Sequence, residues 1–534
     1  MQLNSIRMRP LPESHPQLVG EGPVVRDSSG MATNQTLKMD LESLSDDLLL
    51  DIMQLVALPP PRCMGPSRQR NDLLPLMRCS RRLYRLGEPI LYRKLVAKTP
   101  KTLQRFIKTI LAHPGLADHV RVVNLDEGGA AKEEAPEVPQ SQFRDSSQGF
   151  INSFMPRLIC NALPSVVRPA RKLRHFDDEE LEMIEAITIS LSPAKASSWT
   201  EGVRHGAWTS LAAFAFCLLP NVEDFQIEKC QDSRFAELGQ TLNLLSYPFP
   251  FANSTSAKLQ NFSISYEKRT CQDGLFAIPT SLLALPSLRI FSGDMIREVS
   301  WTNTARDTKL SIKSLHLDRS NFSSKALENL LNSCPNLEYL KYEHDEEMLD
   351  DCDFQPTQLD GALTSLKAVL RELVLYRTAS APGPRFTAAQ FGIIKALKEF
   401  EKLTRLSITA QLLLGPQKIE GSQWYESSLH FVGLETQSLV SCLPRSLEHL
   451  KLKNSGEHIF DQVRGLVEVK QMVVPNLKSV IIEFVHIRSH HSGGRSFIER
   501  AWGNQLRMGA NSKAVNELDE LCKEKGVVLD IWYN

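Results

Sequence analysis

Two runs of polar residues have side chains that could bind a metal ion or take part in acid–base chemistry. One is the acidic run from Glu343 to Asp353, whose oxygens suit a hard cation but which lacks the ligand spacing and central glycine of a calcium loop. The other is the cluster His486, His490 and His491, which has no cysteine or carboxylate at zinc-ligand spacing. Both runs are interpreted as polar loops, and no metal site is predicted.

Motifs of common catalytic sites are missing from the sequence. The chain has no G-x-S-x-G elbow, no G-x-x-x-x-G-K-[ST] phosphate loop, no G-x-G-x-x-G and no H-E-x-x-H. Ser, His and Asp are present, but no spacing singles out a triad. We therefore expect a binding protein that needs no cofactor. An enzyme with an unrecognised site is the least favoured alternative.

Charge and hydropathy exclude other classes of function. Of 534 residues, 62 are Lys or Arg and 62 are Asp or Glu, so the composition shows no bias towards nucleic acid or acidic membranes. No apolar run approaches the roughly 18–20 residues of a membrane span, and the longest, Leu211 to Leu219, fits a buried helix better. The start of the chain lacks the apolar core of a secretory signal. The ten cysteines form no C-x-x-C pair, which predicts reduced thiols in the cytoplasm or nucleus.

One spacing of apolar residues, L-x-x-L-x-L, recurs along most of the chain. Nine copies begin at residues 120, 222, 259, 312, 337, 370, 403, 447 and 477, and a weaker copy at Leu288 has Gly293 in its last apolar position. The last two apolar residues of each copy would share one face of a short strand. Between copies the chain turns helical, as in Ser324 to Ser333, and a proline often follows, as at Pro335.

This pattern resembles a leucine-rich repeat array, in which stacked units bury one continuous core. The resemblance implies an α/β fold, an irregular horseshoe with one short parallel strand plus a helix or loop per repeat. The spacing of copies varies from 25 to 44 residues over 312–477, whereas regular arrays repeat every ~20–29 residues, so long loops are expected. An ordinary α/β domain with Leu-rich strands is the alternative.

Further elements are predicted around the copies. Helices are expected at Thr102 to His113 and Ala514 to Glu524, and a final strand at Val527 to Ile531 would cap the array. The basic stretch Val166 to His175 is interpreted as a solvated face, with a nuclear-import signal or a contact for an acidic partner as alternatives.

The stretch from Leu41 to Leu95 differs from the array because its apolar residues recur at helical spacing. Ser45 would cap a first helix that a run of prolines ends. A second helix is predicted from Asp72 to Leu86, with Gly87 and Pro89 as its stop signal. Each helix is about three turns long and has more apolar surface than it can bury alone, so the pair needs a partner.

The same stretch resembles the F-box, the adaptor-binding module of SCF-type ubiquitin ligases. The matching motifs are Ser43-Leu44, Asp47-Leu48-Leu49-Leu50-x-Ile52, Leu73-Leu74-x-Leu76, Cys79 to Leu86, Pro89 and Leu91-Tyr92. Ser45 stands where the family usually has proline, and the loop from Pro59 to Asp72 is longer than usual. By this resemblance, the adaptor contact and the packing beneath it involve Leu44, Leu48, Leu49, Ile52, Leu55, Leu73, Leu76, Cys79, Leu83, Leu91 and Tyr92.

These expectations divide the chain into a disordered leader (1–38), an F-box-like module (39–96) and a repeat array (97–534) with a low-complexity insertion near 126–149. In the family that it resembles, the module binds a Skp-type adaptor, and through it cullin and RING subunits, while the array binds the protein to be ubiquitinated. Such a receptor does no chemistry but holds its substrate near activated ubiquitin. The alternative is a leucine-rich-repeat scaffold outside the ubiquitin system, whose helical hairpin only caps the array.

Overall fold

The computed structural model describes residues 43–57, 73–126, 176–191, 196–230, 258–266, 276–300, 308–345, 355–378, 393–415, 437–453, 458–484 and 512–533. The leader, the insertion near 126–149, the basic stretch 166–175 and the cluster His486, His490 and His491 fall outside these ranges, except for Asp126. No helix in the described ranges is both long and apolar enough to cross a membrane.

Most strands belong to one sheet, in which neighbouring strands are parallel. Its twelve described strands follow chain order, and β5 and β7 form a separate pair. The strands are β1 Lys94–Ala97, β2 Val122–Asp126, β3 Asp224–Cys230, β4 Asn261–Tyr266, β5 Phe276–Pro279, β6 Ile290–Asp294, β7 Ile296–Ser300, β8 Ser314–Ser320, β9 Tyr339–Asp345, β10 Glu372–Thr378, β11 Arg405–Thr409, β12 His449–Lys453, β13 Ser479–Phe484 and β14 Val528–Tyr533.

Each predicted L-x-x-L-x-L copy contains the start of one strand of the large sheet, which confirms the α/β repeat prediction. The copies align in register: Leu340 pairs with Leu373, Leu373 with Leu406 and Leu406 with Leu450. Because alternate side chains of a strand point to opposite faces, this register stacks the apolar residues in rows. The rows form one continuous core from Leu95 to Val527.

Helices cover the buried face of the sheet or form the N-terminal module. They are α1 Asp46–Ala57, α2 Leu73–Cys79, α3 Arg81–Tyr92, α4 Pro100–Ala112, α5 Asp178–Leu191, α6 Ala196–Arg204, α7 Trp208–Cys217, α8 Thr280–Leu283, α9 Ser324–Asn332, α10 Pro356–Thr364, α11 Ala410–Leu414, α12 Leu439–Cys442, α13 Ile459–Glu468, α14 Lys470–Val473 and α15 Ser512–Glu524. The helices predicted near 102–113, 324–333 and 514–524 are confirmed as α4, α9 and α15. Ser323 caps α9 by accepting a hydrogen bond from the Ala326 backbone N–H.

Aromatic rings fill the core where the first repeats meet. Phe225, Phe262 and Phe291 occupy the same position of β3, β4 and β6, and their ring centroids lie 5.7 and 6.0 Å apart in stacked geometry. All three rings are fully buried. The parallel register therefore places like residues beside each other, and ring stacking adds to the burial.

The weak copy at Leu288 has a structural explanation in Gly293. A Cβ atom on Gly293 would overlap the Ile296 side chain, which is buried there at the start of β7. Ile296 thus fills the space that Leu or Ile occupies in other strands. The small β5–β7 sheet was not predicted, because neither strand carries the repeat spacing.

The second N-terminal helix was predicted wrongly. It is broken at Ser80, which caps α3 by accepting a hydrogen bond from the Leu83 backbone N–H. Helix α3 then continues through Gly87 and Pro89 to Tyr92. Gly87 is buried where α1 and α2 pack on α3, so the glycine marks a close helix contact rather than a helix end. Pro89 lies in the last turn of α3, where it removes one intrahelical hydrogen bond without ending the helix.

Candidate interaction surfaces

Helices α1, α2 and α3 form a small core separate from that of the array. Its buried residues are Leu49, Met53, Leu73, Met77 and Leu83. A Cβ on Gly87 would lie 2.5 Å from Met53 Cε and 2.6 Å from Met77 Cγ. The glycine therefore allows the three helices to approach closely. Met53 and Met77 were missing from the predicted contact set, although their i, i+4 spacing from Leu49 and Leu73 could have indicated them.

An ion pair holds the start of α1 against α3. The Arg82 guanidinium donates to the Asp46 carboxylate at 2.7 Å and to the Leu44 backbone carbonyl at 2.7 Å. Both side chains of the pair are partly exposed, so the salt bridge itself adds at most about 1 kcal/mol. Its geometric effect is to fix the orientation of α1 on the module. Arg82 lies inside the F-box-like motif but was not predicted to have a role.

One side of α1 is apolar yet exposed. Leu48 and Leu55 are 52% and 68% exposed, and Ile52 lies half-buried between them. Their i, i+4, i+7 spacing places them on one stripe, beside the Leu49–Met53 face that enters the core. We name Leu48, Ile52 and Leu55 the α1 stripe. The exposed Asp51 borders the stripe, three residues after Leu48 and four before Leu55, whereas the exposed Gln54 lies about 100° or more round the helix from each of the three.

The predicted adaptor-contact residues fall into three groups by burial. Leu49, Leu73 and Leu83 are buried and form the module core. Leu48, Leu55 and Cys79 are exposed, and the Cys79 thiol donates to the Pro75 carbonyl. The half-buried members are Leu44, Ile52, Leu76, Leu91 and Tyr92. The structure thus separates packing residues from accessible ones, which the sequence could not do.

The module continues directly into the array. Leu91 packs against the module core, whereas Tyr92 packs against the array core. The Arg93 carbonyl accepts hydrogen bonds from the Arg121 and Val122 backbone N–H groups at 2.9 and 3.1 Å, and β1 begins at Lys94. Residues 94–96, within the predicted range of the module, therefore lie in the first strand of the sheet.

The second surface is the face of the sheet that points away from the core, which we name the open face. Each strand contributes up to three residues to it, namely the alternate residues whose side chains point away from the core. Over β10 to β13 it holds a shallow depression of about 270 Å³ whose lining includes Arg405, His449 and Lys451. The His449 ring is hydrogen-bonded to the Ser479 hydroxyl at 2.8 Å, so these polar groups already have partners.

Charged groups of the C-terminal half of the open face are largely engaged with each other. Lys451 lies 2.7 Å from the Glu483 carboxylate and 4.8 Å from the Trp532 ring centroid. Lys453 lies 4.3 Å from the ring centroid of Tyr376. Such pairs hold side chains in place but leave little net charge.

Polar residues at the ends of β8 and β9 are deeply buried. The His344 ring is hydrogen-bonded to the Tyr342 hydroxyl at 2.8 Å, and burial, with a smaller effect of Arg377, lowers the pKa of His344 to about 3. His344 is therefore neutral at physiological pH. The prediction of a polar loop is wrong for residues 343–345, which form the end of β9: Glu343 points to the open face while His344 and Asp345 are buried. The rest of that run lies outside the described residues. Within the described ranges no group of three or more His, Cys, Asp or Glu residues could hold a metal.

Comparison with protein families gives one match. Residues 257–523 match the leucine-rich repeat domain family, and this span is half of the 534 residues. The match begins just before β4 and ends within α15, so it does not extend to α1–α3 or to β1–β3. Comparison with curated proteins finds no match.

Proposed function

This chain belongs to the leucine-rich repeat domain family, and on that premise we propose that it is the substrate-recognition subunit of an SCF-type ubiquitin ligase. In this proposal the α1–α3 module binds a Skp-type adaptor, and the repeat array binds the protein to be ubiquitinated. The repeat family supports the role of the array as a protein-interaction scaffold. The protein contributes no catalytic group and acts by holding its substrate near the activated ubiquitin.

The α1 stripe is the observation that carries the adaptor assignment. A cap that only closed the end of the array would turn its apolar side towards the array core. Here the module has a core of its own, and Leu48 and Leu55 remain exposed on the outside of it. Exposed leucines at helical spacing are typical of a helix that docks on another protein.

The test is co-purification of the full chain with a Skp-type adaptor, comparing the wild type with a Leu48→Glu/Leu55→Lys variant. Fully burying a leucine side chain contributes about 1.5–3 kcal/mol. Leu48 and Leu55 are 52% and 68% exposed, so burying these exposed parts against the adaptor would contribute about 2–4 kcal/mol to binding in total. Binding should therefore weaken by about 30-fold to 1000-fold. The two new charges are of opposite sign, so the net charge is unchanged.

A matched control is Gln54→Lys, which changes the polar side of the same helix and should leave adaptor binding unchanged. Circular dichroism should show that each variant keeps the wild-type fold, because the substituted side chains lie outside the core. Unchanged adaptor binding in a folded Leu48→Glu/Leu55→Lys variant would refute the contact, and no binding by the wild type would refute the ligase assignment.

The alternative of a scaffold outside the ubiquitin system is favoured by the packing of α3 against the array, which includes Tyr92 on the array core. A cap would be required for array stability. Deleting residues 1–92 leaves β1 intact and distinguishes the two functions. If the module is an adaptor-binding unit, the remaining array should stay folded with a nearly unchanged melting temperature, whereas a large decrease would support the cap.

A further inference from the structure

The open face carries its net charge on one half only. On β1 to β8 two cations, Lys94 and Arg319, stand against five carboxylates, namely Asp126, Asp224, Glu228, Asp294 and Asp318. On β9 to β14 the cations Lys341, Arg405, Lys451 and Lys453 balance the anions Glu343, Glu372, Glu483 and Asp530. The N-terminal half of the face is therefore acidic although the whole chain is neutral.

Neighbouring cations neutralise only part of this acidic half. Asp294 is paired with Arg319, and Asp318 lies 2.5 Å from the Lys341 ammonium. Among the described residues, no cation lies within 4 Å of the carboxylates of Asp224 and Glu228 on β3. Burial raises the pKa of Asp224, and the more distant Lys94 opposes that effect. Cations brought to either end of this part of β3 would therefore each gain a half-buried carboxylate as a partner.

A row of neutral polar side chains crosses the same half of the face. The register aligns Asn124, Gln226, Ser263, Ser292 and His316 at the central position of β2, β3, β4, β6 and β8. At a strand spacing of about 4.8 Å the row is roughly 19 Å long, which matches about six residues of extended chain. Burial lowers the pKa of His316, so this end of the row is uncharged at neutral pH.

The row also has unused hydrogen-bonding capacity beside β3. The Asn124 amide donates to the Gln226 side-chain oxygen at 3.3 Å and to the Glu228 carboxylate at 3.2 Å. The Glu228 carboxylate can accept further hydrogen bonds beside this one, and Asp224 is also an acceptor, so the complementary group is a cation that donates hydrogen bonds.

We propose that the acidic half of the open face binds an extended segment of the substrate protein that carries lysine or arginine. Its cations lie at Asp224 and at Glu228, on either side of the row, and the segment crosses the sheet along the row from Asn124 to His316. This inference rests on the proposed function, because it names the class of segment that the receptor recognises. An acidic or phosphorylated segment fits the other half less well, because Arg405, Lys451 and Lys453 already have anionic or aromatic partners there.

The test uses the full chain and two fluorescein-labelled peptides, one of alternating serine with lysine and arginine, the other with glutamate in place of the cations. Fluorescence anisotropy at low and at physiological salt should show binding of the basic peptide, weakened by salt. Asp224→Asn/Glu228→Gln should weaken that binding about fivefold or more, since two partly buried charges are lost. The matched control Asp530→Asn/Glu520→Gln removes two exposed charges near the end of the chain and should have no effect.

Three results would overturn the proposal. The first is preferential binding of the glutamate peptide, and the second is unchanged binding in the folded Asp224→Asn/Glu228→Gln variant. The third is that the wild type does not bind the basic peptide. If peptide binding then appears when the chain's own basic stretch is neutralised, that stretch is the occupant and the proposal is also overturned. The residues to change to Ala for this purpose are Arg168, Arg171, Lys172 and Arg174. Adaptor co-purification of the same variants separates this inference from the ligase assignment, because the variants leave the α1 stripe intact.

Discussion

A double-mutant cycle at Gly293 and Ile296 tests how the array adapts to an irregular repeat. Gly293 lies at an inward position of β6, and a Cβ there would overlap the buried Ile296 side chain and lie 3.0 Å from Phe291 Cε1. Inserting one methyl group into a packed core costs about 1–3 kcal/mol. We therefore expect Gly293→Ala to lower the free energy of unfolding of the central repeats by that amount.

The second substitution, Ile296→Val, removes the Cδ1 atom that meets the new methyl group. Alone it should cost about 0.5–1.5 kcal/mol, as is usual for this change in a core. In the double variant the new methyl group has more space. The double variant should therefore lose less free energy of unfolding than the sum of the two single variants, by about 1 kcal/mol or more. The backbone effect of replacing glycine is present in both the single and the double variant and cancels in the cycle.

Hydrogen exchange of residues 290–300 is the suitable assay, together with urea unfolding, because it reports local opening in a repeat protein that need not unfold in one step. Gly361→Ala is the matched control: no atom lies within 4 Å of its added Cβ, and in α10 it should stabilise by up to about 1 kcal/mol. If Gly293→Ala behaves like the control, or if the two losses simply add, the packing explanation is refuted.

Two further predictions concern the module core and a buried histidine. Leu49→Ala should destabilise α1–α3 by about 2–5 kcal/mol because Leu49 is only 1% exposed; hydrogen exchange should rise in residues 46–92 while the array stays protected, and Gln54→Ala should change neither. The pKa of His344 is lowered to about 3, so below its ordinary value near 6.5 the unfolded chain binds a proton that the folded chain does not. Acidification from pH 6.5 towards 3 should therefore lower stability. The decrease in the urea midpoint should be smaller in His344→Gln, and an equal decrease would contradict the assignment of the effect to this residue.

The sequence was informative about the array because each repeat carries its own local signal. The apolar residues of one strand lie within six positions of each other, and β2, β9 and β13 could each be recognised from those positions alone. Helix α9 was likewise readable from its apolar spacing and the proline after it. The β5–β7 pair was missed because its packing depends on Ile296 entering the space left at Gly293, and that space exists only in the assembled sheet.

For the candidate surfaces, the sequence by itself determined which residues are apolar at helical spacing, and it supplied the motifs on which the proposed F-box assignment of residues 41–95 rests. Only the tertiary structure decided that Leu49 is buried while Leu48 and Leu55 are exposed, because this depends on how α2 and α3 pack on α1 through Gly87. Likewise, the sequence fixes an equal number of charges of each sign. The parallel register, which brings residues a hundred positions apart into contact, decides that Asn124 meets Glu228 and that one half of the open face is acidic.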